Sequence, residues 1–253
     1  MSDLFNLDGK HVLITGGAQG LGNMIARGLL MAGAKVTITS RKLETSQKAA
    51  EELRAFGDCT GLEADLSNAQ GATALADQIR AIGNPLHVLI NNAGKVFGAP
   101  IEKFPDEGWP DLMAINVQTP FTLVRELLPL LKASATQDDP ARVINLGSLV
   151  GHSVQPRPTY SYSSSKAAVH HLTRVLAAHL APFHITVNAI APGFFSTRMT
   201  RQLPLDEMAS KIPLGRLGQE EDVAGACVFL SSRAGAYLTG VILPVDGGMH
   251  GCR

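Results

Sequence analysis

The run His11-Val12-Leu13-Ile14-Thr15-Gly16-Gly17-Ala18-Gln19-Gly20-Leu21-Gly22 decides how the chain reads. His11–Thr15 has the apolar pattern of a buried strand. Gly16, Gly20 and Gly22 then follow in the spacing GxxxGxG, and Leu21, Ile25 and Leu29 recur at helical spacing. A strand, a glycine turn and a helix in succession form a nucleotide cradle. A turn without Cβ atoms lets backbone approach a pyrophosphate, and the N–H groups of the helix start face it. An ordinary glycine turn is the other reading of this loop taken alone.

Working outward, strand-like and helix-like runs alternate. Lys35–Ser40, Thr60–Ala64, His87–Asn91, Arg142–Leu146, Ile185–Ile190 and Val241–Val245 read as further strands. Leu43–Phe56, Ala69–Ile82, Phe121–Leu131, Ser164–Leu180 and Glu220–Leu230 read as helices. Strands separated by helices build βαβ units, and near-continuous apolar strands suit a sheet covered on both faces. The expectation is a Rossmann-like, doubly wound α/β fold with a seven-stranded parallel sheet. No linker or low-complexity stretch divides residues 1–253, so one domain is expected. The Pro/Gly-containing segments Lys95–Pro110 and Pro192–Gly218 follow strands, where loops line the ligand crevice.

Composition narrows the function. Lys+Arg and Asp+Glu number 22 each, so the formal net charge is +0. That argues against a nucleic-acid binder driven by bulk positive charge. Charged residues make up only 17% of the chain, which leaves room for apolar subunit contacts. Cys59, Cys227 and Cys252 are far apart, with no CxxC, so a reducing compartment is expected. The start MSDLFNLDGK carries no secretory signal pattern, and no apolar run approaches ~18 residues. A soluble cytoplasmic protein, with no membrane partner, is the expectation.

The end of the second strand bears on the cofactor. An NAD site usually offers an acid there for the ribose 2′-OH. Here Ser40-Arg41-Lys42 follows Thr39, with no acid before Glu44. Ser40 and Arg41 suit a 2′-phosphate, which points to NADP(H). A basic helix start that is merely solvated is the plainer alternative. Asp65, with Leu66, follows the third strand, where it could bond an adenine amino group or cap the next helix. Asn92-Ala93-Gly94 closes the fourth strand with small residues beside the adenosine side of a dinucleotide.

Tyr162 and Lys166 stand four apart, on one face of the long helix. A free Tyr has a pKa of ~10. A nearby ammonium and a positive nicotinamide favour the phenolate, which poises the pair for proton exchange with a carbinol or carbonyl oxygen. Alone, Y-x-x-x-K is more often a solvated helix face. Tyr160 lies on a different face from Lys166. Ser148 ends the fifth strand, where its hydroxyl could bond a substrate oxygen or simply serve a turn. Asn116 is a polar residue in an apolar stretch: a satisfied core Asn, or a holder of water that relays protons to Lys166. No GxSxG, HExxH, P-loop or EF-hand sequence occurs, and His170-His171 lack partners at zinc spacing, so no metal is expected.

Taken together, TGGAQGLG, NNAG, Asn116, Ser148, Tyr162-x-x-x-Lys166, Pro192-Gly193 and Asp246-Gly247-Gly248 occur in the order of one family. The whole chain resembles a short-chain dehydrogenase/reductase. Within the family it is most similar to NADPH-dependent 3-ketoacyl reductases of the rhamnolipid-biosynthesis type. The resemblance implies a catalytic set of Asn116, Ser148, Tyr162 and Lys166. Tyr162 would protonate the keto oxygen, Ser148 would orient the carbonyl, and Lys166 would bind the nicotinamide ribose and lower the Tyr162 pKa. The cofactor would be held by Gly16, Gln19, Gly20, Leu21, Gly22, Ser40, Arg41, Asp65, Leu66, Asn92, Ala93, Gly94, Tyr162, Lys166, Pro192, Gly193 and Thr197. Thr197 would contact the carboxamide end.

Two departures stand out. Ser148 and Tyr162 are 14 residues apart, one more than the family's usual spacing, and Leu149–Thr159 must absorb the extra residue. The places where carrier-protein reductases hold basic docking residues fall near Ala135 and Phe183. That favours a CoA thioester or free ketone over an acyl carrier protein. Residues 194–212 carry Phe194, Phe195, Met199, Leu203, Leu205, Met208 and Ile212. They read as a substrate loop over an apolar substrate, or as ordinary packing. The resemblance further implies a homotetramer built on the helices Phe121–Leu131 and Ser164–Leu180, with Glu220–Leu230 and the last strand at the other interface.

Overall fold

The computed structural model describes residues 2–154, 157–197 and 205–252. The strands are β1 (His11–Ile14), β2 (Lys35–Ser40), β3 (Cys59–Glu63), β4 (Val88–Asn91), β5 (Ala141–Leu146), β6 (Ile185–Pro192) and β7 (Ile242–Val245). The helices are α1 (Gly20–Met31), α2 (Leu43–Leu53), α3 (Ala69–Ile82), α4 (Pro110–Met113), α5 (Thr119–Ser134), α6 (Tyr160–Leu180), α7 (Leu205–Ser210) and α8 (Glu220–Ser231). All strands pair in parallel, in the order β3-β2-β1-β4-β5-β6-β7. This is the single Rossmann-like, seven-stranded α/β architecture that the alternating pattern leads one to expect.

Strand alternation splits the core into two layers. Val12 and Ile14 face one side with Ile38, Ile90 and Ile144, where α1 and α8 supply Ile25, Leu29, Val223 and Leu230. Leu13 faces the other side with Leu89, Val143 and Val187, covered by α3, α5 and α6 through Leu75, Ile79, Leu127 and Leu176. Because both faces are buried, every strand from β4 to β6 is apolar almost throughout.

Three boundaries depart from the sequence pattern. Helix α5 runs from Thr119 to Ser134, beyond the Phe121–Leu131 of the pattern at both ends. Helix α6 begins at Tyr160 rather than Ser164; Ser161 and Ser165 are buried, and Ser165 accepts from Asn116 of the neighbouring turn, so tertiary contacts override their weak helix propensity. Between α4 and α5 lies a five-residue π-helical turn, Ala114–Gln118, which no periodicity marks.

Helices α1 and α8 pack closely because Gly28 has no side chain. A Cβ there would sit 2.5 Å from the Cβ of Ala224. Gly28→Ala therefore forces the two helices apart and is expected to destabilise the fold by about 1–3 kcal/mol. Urea unfolding at one protein concentration should show a lower midpoint with an unchanged slope.

Candidate active site

The carboxyl ends of the strands converge where β1 and β4 sit side by side and the winding of the sheet reverses. That junction is where α/β sheets open a crevice. Gly16 and Gly20 have φ of 65° and 59°, a region that L side chains avoid. A Cβ on Gly22 would lie 2.5 Å from the Asn92 amide nitrogen, so the α1 start packs directly on the β4 end. Gln19 caps α1 through backbone only, without a side-chain bond to the first-turn N–H groups. Those donors are left for an anion, so this loop fits a dinucleotide pyrophosphate.

Thr15 and Asn92 fasten the loop. Thr15 Oγ1 accepts the N–H of Asn92 and of Ala93, both at 3.0 Å. Asn92 Nδ2 donates to the carbonyls of Thr15 (2.8 Å) and Gly16 (3.1 Å). Thr39 Oγ1, from β2, accepts the Gly16 N–H at 3.2 Å. Neither Thr15 nor Thr39 was singled out in the sequence as a site residue. Each is a polar residue at an otherwise apolar strand end, and that was the available signal. Asn91 points away from this loop and donates to Asn145, its registered neighbour on β5.

At the adenosine end, Ser40 already bonds the backbone of Lys42 in both directions, at 2.8 and 3.1 Å. Arg41 is exposed. The Asp65 carboxylate accepts the Ser67 N–H at 3.1 Å. That bond, with weaker pulls from Arg41 and Lys95, holds Asp65 below the usual carboxylate range. Asn68, not Asp65, caps α3 by accepting the Gly71 N–H. Leu66 is buried, and its carbonyl accepts the Thr119 hydroxyl.

On the other side of the switch point, α6 lies along the ends of β5 and β6. Tyr162 is half-buried, and loss of water around its phenol holds it above the usual value, against a hydrogen bond shared with Ser148. Lys166 is also buried and is pushed down to about 8 by loss of water. Its Nζ donates to the Leu146 carbonyl at 2.6 Å and lies 5.7 Å from the Tyr162 ring centre. Loss of water acts on the tyrosine in the direction opposite to the lowering expected from this ammonium and a bound nicotinamide. Asn116 sits in the π turn. Its Oδ1 accepts the Lys95 N–H at 3.0 Å, and its Nδ2 donates to the Lys95 carbonyl (3.1 Å) and to Ser165 Oγ (2.9 Å). It is a satisfied core Asn, and it holds Lys95 next to Gly94. A Cβ on Gly94 would lie 2.9 Å from Asn116 Oδ1 and 3.9 Å from Lys166 Nζ, so these residues meet at one point.

Pro192 ends β6, and the Gly193 N–H donates to Val245 on β7 at 2.9 Å. Thr197 lies across from Gly20, within 4.0 Å of where a Cβ would stand. Of the substrate loop, Phe195, Met208 and Ile212 are buried, while Met199 and Leu203 lie outside the described residues. Tyr160 lines a cleft of about 1,020 Å³ together with Phe104, Trp109, Val150, His152 and Arg157. Among the described residues, no three His, Cys, Asp or Glu side chains converge as metal ligands. No helix among them is long and apolar enough to cross a membrane.

A glycine cradle at the switch point, with half-buried Ser148 and Tyr162 and buried Lys166 beside it, is matched by known proteins. A family model described as enoyl-(acyl carrier protein) reductase covers residues 16–250. The chain belongs to the short-chain dehydrogenase/reductase family. One family member, the rhamnolipids biosynthesis 3-oxoacyl-[acyl-carrier-protein] reductase of Pseudomonas aeruginosa, is 46% identical over 255 residues, covering 99% of this chain and 100% of that protein. Another, the 5-keto-D-gluconate 5-reductase of Escherichia coli, is 37% identical over 256 residues, covering 98% of each. The RhlG/NADP active-site complex from Pseudomonas aeruginosa superposes with a TM-score of 0.96 at 45% identity, over 99% of this chain and 100% of that one.

Thr15→Val keeps the side-chain volume but removes the acceptor of two backbone N–H groups. It is expected to cost about 2 kcal/mol of stability and to weaken dinucleotide binding several-fold. Thermal unfolding and fluorescence titration with NADPH measure the two effects.

Proposed function

We propose that this protein reduces a ketone to a secondary alcohol with NADPH, and that the ketone is a 3-ketoacyl thioester. The observation that carries the reading is the half-buried Tyr162 phenol bonded to Ser148. A phenol is protonated at neutral pH, and loss of water strengthens that preference. A protonated donor is the form that ketone reduction requires.

The residues divide the work as follows. Gly16, Gln19, Gly20, Leu21 and Gly22 hold the pyrophosphate on backbone N–H groups, and Asn92, Ala93 and Gly94 form the wall beside them. Arg41 is the cation for the 2′-phosphate, flanked by Ser40, with Asp65 and Leu66 at the adenine side. Pro192, Gly193 and Thr197 face the nicotinamide end. NADPH, when bound, supplies the hydride. Ser148 donates a hydrogen bond to the carbonyl oxygen, which fixes its direction and stabilises charge as it builds. Tyr162 gives its proton to that oxygen. Lys166, moved from the Leu146 carbonyl to the ribose, would then favour the phenolate left behind. Asn116 keeps the Lys95–Gly94 wall in place.

The substrate class is supported by two features. The aromatic cleft of Phe104, Trp109 and Tyr160 adjoins the segment after Ser148 and suits an acyl chain. The relative from Pseudomonas aeruginosa is named for 3-oxoacyl carrier-protein reduction. Near Ala135 and Phe183, where the sequence offers no docking base, Lys132 Nζ stands 3.3 Å over the Phe183 ring. One cation therefore lies where an acidic carrier would dock, and both carriers stay within the reading. A polyol or keto-sugar substrate is the second reading, favoured by the similarity to the gluconate reductase.

NADPH oxidation at 340 nm with acetoacetyl-CoA, an acyl-carrier thioester and 5-ketogluconate tests this. Turnover of a thioester is expected, and turnover of the sugar alone would overturn the substrate class. Tyr162→Phe should lower kcat by on the order of a thousandfold while leaving NADPH affinity unchanged. Arg41→Ala should raise the KM for NADPH and spare that for NADH.

We place the protein in the cytoplasm as a homotetramer, with residues 194–212 as the substrate loop. An apolar groove lined by Pro110, Met113, Val117, Phe121 and Leu172 on α4, α5 and α6 supports the assembly. Sedimentation equilibrium at micromolar concentration should give four times the chain mass, and a stable monomer would contradict it.

A further inference from the structure

The glycines on either side of Ser148 leave room for one object. A Cβ on Gly151 would lie 2.6 Å from Cε1 of His170, and one on Gly147 would overlap its Nε2. The His170 ring fills the space beneath the turn from Gly147 to Gly151, and it is buried. Its Nε2 accepts the Ser148 N–H at 3.4 Å. His170 stands one helical turn beyond Lys166, as Lys166 stands one turn beyond Tyr162, so the three share a face of α6. Helix α6 is thus tied to the Leu146–Ser148 segment at two points: Lys166 on the Leu146 carbonyl, and His170 on the Ser148 N–H. Two more imidazoles complete a column. The His152 ring lies 4.4 Å from that of His170, and the His250 ring stacks 4.5 Å from that of His152.

We propose that His170 is a positioning residue for Ser148: the neutral ring, unprotonated at Nε2, fixes the Ser148 backbone and through it the direction of the hydroxyl. The proposal rests on the roles of Ser148 and Tyr162 given above. It requires one tautomer. Nε2 must offer its lone pair to the N–H, so the proton sits on Nδ1. Nδ1 lies toward the Gly151 backbone, which favours a proton there, although no aligned acceptor is within bonding geometry. The surroundings keep the ring from taking a second proton. Burial, the charges of His152 beside it and Lys166 and Arg174 on its own helix hold it down to about 4. His250 and Asp246, past β7, face His152 rather than His170. A filler of this cavity need not be polar, so a histidine here is explained by the N–H it receives.

The test separates this role from plain packing. His170→Phe keeps a ring in the cavity and removes the acceptor; His170→Gln places Oε1 near the position of Nε2. In His170→Phe, kcat for ketone reduction is expected to fall on the order of tenfold or more, with NADPH affinity within about twofold of wild type. His170→Gln should recover most of the rate. In wild-type protein with labelled histidine, ¹⁵N spectra at neutral pH should show His170 protonated at Nδ1 and bare at Nε2. A wild-type rate in His170→Phe alongside a loss in Ser148→Ala overturns the proposal and leaves the Ser148 reading standing. A glutamine variant as slow as the phenylalanine one, or a proton on Nε2, also overturns it. The nitrogen spectrum needs no turnover, so it judges His170 even if the reaction assigned to the site is wrong.

Discussion

Where β1 meets β4 the sheet changes its direction of winding, and the last backbone bond between the two strand ends, from the Thr15 N–H to the Ile90 carbonyl, leaves a gap beyond it. Thr15 and Asn92 close that gap, with one hydroxyl accepting two N–H groups and one amide donating to two carbonyls. The glycine loop can hold its left-handed turns only because its start is clamped in this way. Burial makes the clamp compulsory: an orphaned N–H or carbonyl at this depth would cost more than a typical hydrogen bond gains. The cradle for the cofactor is therefore a consequence of satisfying the switch point.

Across the crevice the same demand shapes the chemistry. Tyr162, Lys166 and His170 form one stripe on α6, the last two buried and Tyr162 half-buried. Desolvation pushes the phenol up and the ammonium down, which drives both toward their neutral forms. A pair tuned that way keeps the phenol proton until charge develops on a neighbouring oxygen. The bond from Lys166 to the Leu146 carbonyl keeps the buried ammonium paired in the meantime.

Much of this was legible in the sequence. Seven strands and their helices follow from apolar periodicity, because both faces of the sheet must be covered. The glycine spacing and the Tyr162–Lys166 step place the two halves of the site. What escaped was whatever depends on contacts between distant segments. The π turn at Ala114–Gln118 has no periodic signature; it exists so that Asn116 can reach Lys95 and Ser165. Ser40 looks free in sequence but is spent on the Lys42 backbone. The loss of water around Tyr162, which opposes the effect of Lys166, also has no signature in the sequence. His170 read as a helix residue without ligands, since only the fold reveals two glycines making way for its ring.

The low charge of the chain takes on a more definite meaning against these contacts. With 17% charged residues, few are available to solvate surfaces, and an apolar groove is left between α4, α5 and α6. On α6 that groove takes in Leu172, about a quarter to a third of a turn round the helix from Tyr162 and Lys166. Covering it would brace α6 from the side, and α6 holds Tyr162 in place only to the extent that it cannot rock. A subunit contact there would stiffen the catalytic stripe without touching it. Assembly and catalysis would then be coupled through one rigid helix, and the scarcity of surface charge would serve the geometry of the site.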